Sequence, residues 1–169
     1  QSGIRTTGTS GYGIYLSGTT FNISLQSNNI NTSGANAYGI FVDRNSNGSV
    51  LLYNRVNTSG GGSDALHLNG SHTNVSHNYF ETSGLIADGV NITAPSLNNT
   101  FFNNTVLVSG GNSGSGFEPW YSSGFNLLDV INQSLISNTV RSEGDESAGI
   151  RIARGSNNTL VSNVVSSST

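Results

Sequence analysis

Apolar and polar positions along this chain repeat in one short phrase: an apolar residue, two variable residues, Asn, one variable residue and a second apolar residue. The copies are Leu25–Asn28–Ile30, Leu51–Asn54–Val56, Val75–Asn78–Phe80, Phe101–Asn104–Val106, Leu135–Asn138–Val140 and Leu160–Asn163–Val165. Successive copies are 26, 24, 26, 34 and 25 residues apart. A period in this range is typical of repeat architectures, so the spacing predicts a chain built of stacked, similar units.

A second phrase stands in fixed register with the first. Ten residues separate Ile30 from Ile40, and the same interval recurs in most periods. Each downstream residue opens an apolar–x–apolar unit that follows Gly or Ala, and these units are Ile14–Leu16, Ile40–Val42, Leu66–Leu68, Val90–Ile92, Phe125–Leu127 and Ile150–Ile152. This alternation predicts short, half-buried strands, about three in each period, separated by turns rich in Gly, Ser and Asn.

Three strands to a turn predict an all-β solenoid, a parallel β-helix of about six to seven coils with about 25 residues each. A coil returns the chain to the next rung without the helical crossover that other parallel sheets need. The predicted inward column on the first strand is Ile14, Ile40, Leu66, Val90, Phe125 and Ile150. Residues 1–169 are therefore expected to form a single domain, either a mature subunit or a fragment of a longer protein.

The repeated Asn residues are predicted to form the corner between the second and third strands of each coil. Asn tolerates the left-handed backbone conformation, and stacked Asn side chains can hydrogen-bond from coil to coil. The predicted ladder consists of Asn28, Asn54, Asn78, Asn104, Asn138 and Asn163.

Two stretches carry a resemblance to a known superfamily: YGIYLSGTTFNISLQSNNI and AGIRIARGSNNTLVSNVV. They resemble the generic repeats of the right-handed parallel β-helix repeat superfamily, the pectin-lyase-like fold. The resemblance covers nearly the whole chain and implies a right-handed coil. It does not select an activity, because the superfamily includes polysaccharide lyases, hydrolases, epimerases, adhesins, phage tail spikes and surface proteins.

The composition of the chain limits the classes of molecule that it is expected to bind. Charged residues make up 9% of the chain and the net charge is −3, whereas a nucleic-acid-binding face is basic, so no nucleic-acid partner is expected. Without Cys there is no disulfide framework and no thiolate metal site. His67, His72 and His77 are five residues apart, a spacing that spreads them along the coil perimeter, so no metal and no cofactor is predicted. No stretch resembles a signal peptide or a membrane span.

Asn-x-Ser/Thr motifs are frequent in the chain. They start at Asn22, Asn31, Asn47, Asn57, Asn69, Asn74, Asn91, Asn98, Asn103, Asn132 and Asn157. In a secreted protein such motifs accept N-linked glycans, although a chain this rich in Asn, Ser and Thr also creates them by chance. Together with the low charge, they predict an extracellular or cell-surface glycoprotein.

Candidate catalytic residues follow from the resemblance, which implies a site on the outward face of one strand column. The outward residues of the first strand are predicted to be Tyr15, Phe41, His67, Asn91, Asn126 and Arg151. Asp64 and Asp88 each precede the small residue before a strand, so we expect them at equivalent places on adjacent coils, with His67 close by. Two carboxylates and an imidazole can divide acid and base roles, because like charges push their pKa values apart.

The segments SDALH and ADGVN, which contain these two Asp residues, resemble the Asp-Gly strands of polygalacturonase-type hydrolases. The paired-Asp strand, the His-Gly turn and the Arg-x-Lys strand of that family have no counterpart here. Asp before a Gly–apolar strand is also a common turn residue. No catalytic residue is therefore assigned, and Asp64, His67 and Asp88 remain the candidates.

One coil departs from the period. Between Val106 and Phe125 the chain takes 19 positions where other coils take ten, which predicts a lateral loop insertion within residues 107–124. The insertion carries the predicted ligand-binding residues Phe117, Trp120 and Tyr121. Exposed aromatic rings there can stack on a sugar or a partner subunit, and the alternative is that the loop folds back over the coil.

Neither terminal segment resembles a cap over the strand edges of the coil. We therefore expect copies of the chain, or adjacent domains, to stack end to end. The predicted function is that of a structural protein in a surface layer or filament. The alternatives are a carbohydrate-binding adhesin or tail-fibre module, with a polysaccharide or glycan as partner, and a polysaccharide lyase or glycoside hydrolase.

Overall fold

A computed structural model describes residues 3–111, 122–144 and 147–167, and every regular element within these ranges is a β-strand. The first sheet comprises β2 (Ile14–Leu16), β5 (Ile40–Val42), β8 (Leu66–Leu68), β11 (Val90–Thr93), β14 (Ser123–Leu128) and β17 (Ala148–Ala153). The second comprises β3 (Ser24–Gln26), β6 (Val50–Leu52), β9 (Asn74–Ser76), β12 (Thr100–Phe102), β15 (Ser134–Ile136) and β18 (Thr159–Val161). The third comprises β1 (Gly3–Thr6), β4 (Asn29–Thr32), β7 (Arg55–Thr58), β10 (Tyr79–Thr82), β13 (Thr105–Val108), β16 (Thr139–Ser142) and β19 (Val164–Ser167).

The chain passes through the three sheets in turn and then begins the next coil. Neighbours within each sheet are three strands apart in sequence, and every pairing is parallel. This arrangement is a right-handed parallel β-helix of about six turns, with three strands per coil and no helix in the described residues. The predicted fold class is confirmed.

The core lies where the three sheets face one another. Along the first sheet, the register pairs each predicted inward residue with the next one in the column: Ile14, Ile40, Leu66, Val90, Phe125 and Ile150. The four central members of this column are wholly buried. The predicted inward column is therefore confirmed, with rungs about 4.8 Å apart as in any sheet.

The residue before each inward apolar residue of the first-sheet column is small because it packs closely against the third sheet. A Cβ on Gly39 would lie 2.1 Å from Val56 Cγ1 and 2.6 Å from the backbone oxygen of Ala65. Ala65 occupies the same column one coil later, where the corresponding third-sheet residue is Phe80, which is not β-branched. A Cβ at Gly39 would therefore meet both a β-branched side chain of the third sheet and the backbone of the next coil.

Asn side chains form a continuous ladder at the corner between the second and third sheets. The Nδ2 of each donates to the Oδ1 of the next at 2.8–3.0 Å. That same Oδ1 accepts the preceding ladder residue's backbone N–H at 2.8–3.0 Å. The ladder residues are Asn28, Asn54, Asn78, Asn104, Asn138 and Asn163.

The left-handed residue at this corner is not the ladder Asn, and that part of the prediction is wrong. Positive φ angles of 52–55° occur one residue earlier, at Ser27, Tyr53, His77, Asn103, Ser137 and Ser162. The preceding residue makes the turn, and the backbone N–H of the Asn is then directed along the coil axis towards the next Asn Oδ1. The Asn is selected for its amide and not for its backbone.

The insertion is flanked by strands that end at Val108 and begin again at Ser123. The first and last two residues of the 107–124 range therefore lie in β13 and β14. The predicted ligand-binding residues Phe117, Trp120 and Tyr121 lie outside the described residues. No helix with the length and apolar character to cross a membrane occurs in the part of the chain that the structure describes.

Candidate functional site

The outward face of the first sheet changes in character along the coil axis. Its register column consists of Tyr15, Phe41, His67, Asn91, Asn126 and Arg151. Backbone hydrogen bonds align a second column just before the strands, consisting of Tyr12, Tyr38, Asp64 and Asp88. Both columns begin with aromatic residues and end with polar or charged ones. The face therefore divides into an aromatic half and a polar half.

The aromatic half is a cluster of four rings, Tyr12, Tyr15, Tyr38 and Phe41, called here the aromatic platform. The Tyr12 and Tyr38 rings stack with centroids 5.5 Å apart, and Tyr15 meets Phe41 edge to face at 5.0 Å. Tyr15 is 49% exposed. Burial raises the pKa of Tyr38 to about 12, with the nearby Asp64 carboxylate adding to the rise. The platform thus offers uncharged, apolar ring surface to a ligand.

His67 joins the platform to the polar half. Its ring stacks on Tyr38 at 4.6 Å and on Phe41 at 5.0 Å between centroids. Its Nδ1 lies 2.8 Å from Asp64 Oδ2. Because an ionised carboxylate can only accept, Nδ1 carries the hydrogen of this bond, and in the neutral ring Nε2 is the acceptor. The imidazole is therefore held in one orientation by two rings and a carboxylate.

Asp64 is buried, with 4% of its surface exposed, and is surrounded by donors. Its Oδ1 accepts the backbone N–H of Asp88 at 2.8 Å. Its Oδ2 accepts Nδ2 of Asn91 at 3.0 Å as well as Nδ1 of His67. Three N–H groups from two coils therefore converge on one carboxylate.

Asp88 repeats this arrangement one coil later with fewer donors. Its Oδ1 accepts the backbone N–H of Ser123 at 2.7 Å, and its Oδ2 accepts Nδ2 of Asn126 at 2.9 Å. Asn126 in turn accepts a hydrogen bond from Nη1 of Arg151 at 3.0 Å. Among described residues the guanidinium thus reaches this carboxyl only through an amide.

Burial raises the pKa of Asp88 to about 8, and the Asp64 carboxylate contributes to the rise. Hydrogen bonds from Asn126 and Ser123 and the charge of Arg151 act in the opposite direction. Desolvation disfavours the charged form of a carboxyl group, and a neighbouring anion disfavours it further. The two stacked Asp residues therefore differ in their surroundings although they occupy equivalent positions.

A cleft of about 510 Å³ opens along this face and includes the polar half of both columns. Arg151 and Arg154 lie at its C-terminal end. Arg154 is paired with Asp129 through two hydrogen bonds of 2.7 and 2.9 Å. Within the described ranges, no carboxylate lies at ion-pair distance from Arg151. A cleft of this size, with a few convergent polar groups, is typical of ligand-binding sites.

The arrangement supports two kinds of chemistry. Ring surface, amides, carboxyl groups and a guanidinium together can bind a sugar chain that carries acidic groups. The oriented imidazole of His67 and the buried carboxyl of Asp88 are groups of the kind that transfer protons in acid–base catalysis.

The structure brings the three candidate residues Asp64, His67 and Asp88 together. The sequence pattern placed Asn91, Asn126 and Arg151 on the outward face but did not indicate the hydrogen bonds that link them to the two carboxyl groups. The shared spacing of three residues, from Asp64 to His67 and from Asp88 to Asn91, was the signal that could have found the repeated arrangement.

The Asn-x-Ser/Thr sites lie at the surface. Exposed sites are Asn22, Asn31, Asn74, Asn98, Asn103, Asn132 and Asn157, and half-buried sites are Asn47, Asn57, Asn69 and Asn91. Asn91 donates to Asp64, so a glycan at Asn91 would break the polar network of the cleft.

The three His residues lie on different parts of the coil. His67 is in β8, His72 is at the corner that follows it, and His77 lies beyond β9. Over residues 3–111, 122–144 and 147–167, no group of three or more His, Cys, Asp or Glu side chains has a geometry that could hold a metal ion.

Comparisons with known proteins identify the fold. No family model matches the chain, and no curated protein does. The chain is similar to a crystal structure of a double mutant of the periplasmic alginate epimerase AlgG, with a TM-score of 0.69 and 16% sequence identity. The match covers 96% of this chain and 39% of that chain. At this identity the similarity shows the fold alone, that of the right-handed parallel β-helix proteins.

Proposed function

We propose that this protein binds an acidic polysaccharide along the outward face of its first sheet, outside the cytoplasm. The observation that carries the proposal is the continuity of the aromatic platform with a cleft that ends at Arg151. A ligand lying along the coil axis would contact ring faces first, then the Asp64–His67 pair, and then the guanidinium.

The polar half of the cleft supports an anionic ligand. Arg151 reaches Asn126 and has no carboxylate partner among the described residues. A guanidinium can bind a carboxylate through two parallel hydrogen bonds, a geometry that suits the acid group of a sugar. The partner implied by this chemistry is a polymer of sugar acids.

Several features support a location outside the cytoplasm. The chain has few charges, and exposed glycan acceptor motifs occur on most coils. The similar solved structure is that of a periplasmic alginate epimerase, which also supports a polysaccharide as the ligand.

We further propose that the exposed motifs carry glycans in the native protein. Intact-mass measurement of native material should exceed the 17.6 kDa of the bare chain, and a mass equal to it would contradict glycosylation.

Arg151→Gln provides the experiment for this function. The substitution should weaken binding of an alginate oligosaccharide by about tenfold, the loss expected for one charge-assisted contact of about 1.4 kcal/mol. Arg55→Gln is the matched control, because Arg55 lies on the third sheet beside Glu81. Calorimetric titration should show unchanged affinity for the control. Equal affinities of both variants and the wild type would refute the proposed site.

End-to-end assembly is a second proposed function. It is favoured by inward-facing apolar side chains that are exposed on the last described coil, at Ile152, Leu160 and Val165. A second copy seated on this end of the coil would bury them. Sedimentation velocity should then show species that grow with concentration and that Leu160→Ser reduces. A single monomeric species at all concentrations would remove this proposal.

The contact between Asp64 and His67 also favours an enzymatic alternative, a polysaccharide lyase or hydrolase acting in the same cleft. Chromatography of alginate after incubation with the protein tests it. Shorter products that disappear with His67→Gln would support catalysis. An unchanged polymer would contradict catalysis and leave binding as the function of the cleft.

A further inference from the structure

A hydrogen-bonding conflict lies between the two stacked Asp residues. The amide of Asn91 donates from Nδ2 to Asp64 Oδ2, so its Oδ1 is the atom that remains to accept a hydrogen bond. That Oδ1 is buried and receives no hydrogen bond from any residue that the structure describes. A buried acceptor without a donor is costly, so a missing hydrogen is the natural explanation.

The coil repeat identifies the group that could supply this hydrogen. Asn91 is in register with His67, and Asp88 stacks on Asp64. His67 and Asp64 are in contact, with Nδ1 and Oδ2 2.8 Å apart. Asn91 therefore has the same position relative to Asp88 as His67 has relative to Asp64. Reversing the Asn91 amide would not help, because its oxygen would then face Asp64. An amide shared by two carboxyl groups is satisfied only if one of them carries a proton.

The remaining donors decide which carboxyl group holds the proton. Asp64 accepts three N–H bonds, one of them from an imidazole, and these suit an anion. Asp88 accepts two from the described residues and is 6% exposed. The ionisable groups that line the cleft with Asp88 within the described residues are Tyr38, Asp64, Arg151 and Arg154, and His67 adjoins them through its contact with Asp64. Only the two arginines favour its anion, and Arg151 acts through Asn126 while Arg154 is paired with Asp129.

We propose that Asp88 is a carboxylic acid at neutral pH, that it donates its proton to Asn91 Oδ1, and that the cleft binds an acidic glycan only while this proton is in place. The second half rests on the function proposed above. If Asp88 were ionised, an acidic sugar would meet two adjacent carboxylates. With Asp88 protonated, it meets a single carboxylate, which is paired with an imidazole. The raised pKa of Asp88, about 8, agrees with this assignment.

Proton linkage gives the expected pH dependence. An anionic ligand favours the protonated form of Asp88, so above the pKa of this residue binding must take up a proton from solvent. Affinity should be constant near neutral pH and fall by up to about tenfold per pH unit above pH 8.

Carbon-13 NMR of the free protein labelled at its Asp carboxyl groups tests the proton without any ligand. One Asp signal should titrate near pH 8, whereas ordinary Asp carboxyls titrate near pH 4. That signal should be absent from Asp88→Asn. If this variant does not fold, Asn91→Ala serves instead, since loss of the acceptor should move the same titration to lower pH. Titration of every Asp signal below about pH 5 would overturn the proposal.

Calorimetric titration with an alginate oligosaccharide tests the coupling, at pH 7 and pH 9.5, with folding checked by circular dichroism. A neutral oligosaccharide of equal length is the control, and any binding of it should not vary with pH. Equal affinity for alginate at both pH values would overturn the coupling while leaving the proposed function intact. No binding at either pH, with the NMR titration near pH 8 observed, would overturn the proposed function and support the proton on Asp88.

Discussion

Two columns of buried polar side chains run along this β-helix, and they are satisfied in different ways. In the Asn ladder every side chain from Asn54 to Asn163 both donates and accepts, so each coil repeats the same hydrogen bonds. In the column of Asp64 and Asp88 the carboxyl oxygens accept backbone N–H groups from the next coil, and their side-chain donors come from outside the column. Stacked amides can satisfy one another's hydrogen bonds. Stacked carboxyl groups need donors from other residues, here amides and an imidazole, and a proton of their own.

This difference separates a structural feature from the proposed binding site. The ladder is uncharged, and its amide groups already hydrogen-bond to one another, so few donors or acceptors remain for a ligand. The carboxyl column adjoins a cleft, an oriented imidazole and a platform of rings. A buried polar group that requires help from its neighbours is costly to maintain, and such groups concentrate where they serve binding or catalysis.

Placing a carboxylate in the ladder should have the largest effect. Asn78→Asp removes the Nδ2 donor to Leu51, Ser76 and Asn104 and leaves a buried charge without a cation. The free energy of unfolding should fall by at least about 3 kcal/mol in urea titrations. Asn28→Asp, at the half-buried end of the ladder, is the matched control and should lose less than half as much. Equal losses would show that ladder position does not matter.

Exchanging the two carboxyl groups for amides should distinguish Asp64 from Asp88. At pH 7, Asp64→Asn should cost about 1–3 kcal/mol of unfolding free energy, because one of the two acceptor oxygens that serve three N–H groups is replaced by an NH₂ donor. Asp88→Asn should not lower it and should raise it, because an amide resembles the protonated acid and, unlike the wild-type carboxyl group, does not ionise when the chain unfolds. Urea unfolding of both variants makes the comparison. A larger loss for Asp88→Asn would contradict the assignment of the proton.

The same pair predicts a pH dependence of stability. The folded chain holds the Asp88 proton up to about pH 8, whereas the unfolded chain releases it near pH 4. The folded state therefore binds more protons between these values, and the contribution of Asp88 to stability is present below pH 4 and is lost as pH rises to about 8. Unfolding titrations from pH 4 to pH 9 should show this decline in the wild type and a smaller one in Asp88→Asn. Parallel profiles would mean that Asp88 is not the group responsible.

The smallest effect is expected at the edge of the aromatic platform. Tyr15→Ala should weaken binding of an alginate oligosaccharide by about 3- to 10-fold, because an exposed ring contributes about 0.5–1.5 kcal/mol of stacking. Tyr53→Ala is the control, since Tyr53 is 55% exposed at the corner between the second and third sheets. Calorimetry should show no change for it. Equal weakening by both substitutions would exclude a specific role for the platform.

Much of the fold was predictable from spacing alone. Residues such as Ile40 and Leu66 recur at fixed intervals because every coil places the same position over the core, and the repeat of Asn54 and Asn78 marks a corner for the same reason. The left-handed residue was not predictable. It is Tyr53 at one corner and Ser137 at another, because the turn constrains the backbone of this residue and leaves its side chain free.

The candidate site was predictable only in part. The equivalent places of Asp64 and Asp88 follow from register, and so does the nearness of His67. The links through Asn91 and Asn126 join side chains on different coils, and they depend on the reach and direction of each amide. Periodicity places a residue on a face, but it does not determine which donor meets which acceptor.

The most direct test of the proposed binding face is NMR mapping of chemical shifts with an alginate oligosaccharide added to the isotope-labelled protein. The largest changes should fall on the outward column of the first sheet, at His67, Asn91 and Asn126, and on Tyr15 of the platform. Changes confined to the third sheet around Arg55 and Glu81, or no changes at saturating oligosaccharide, would contradict it.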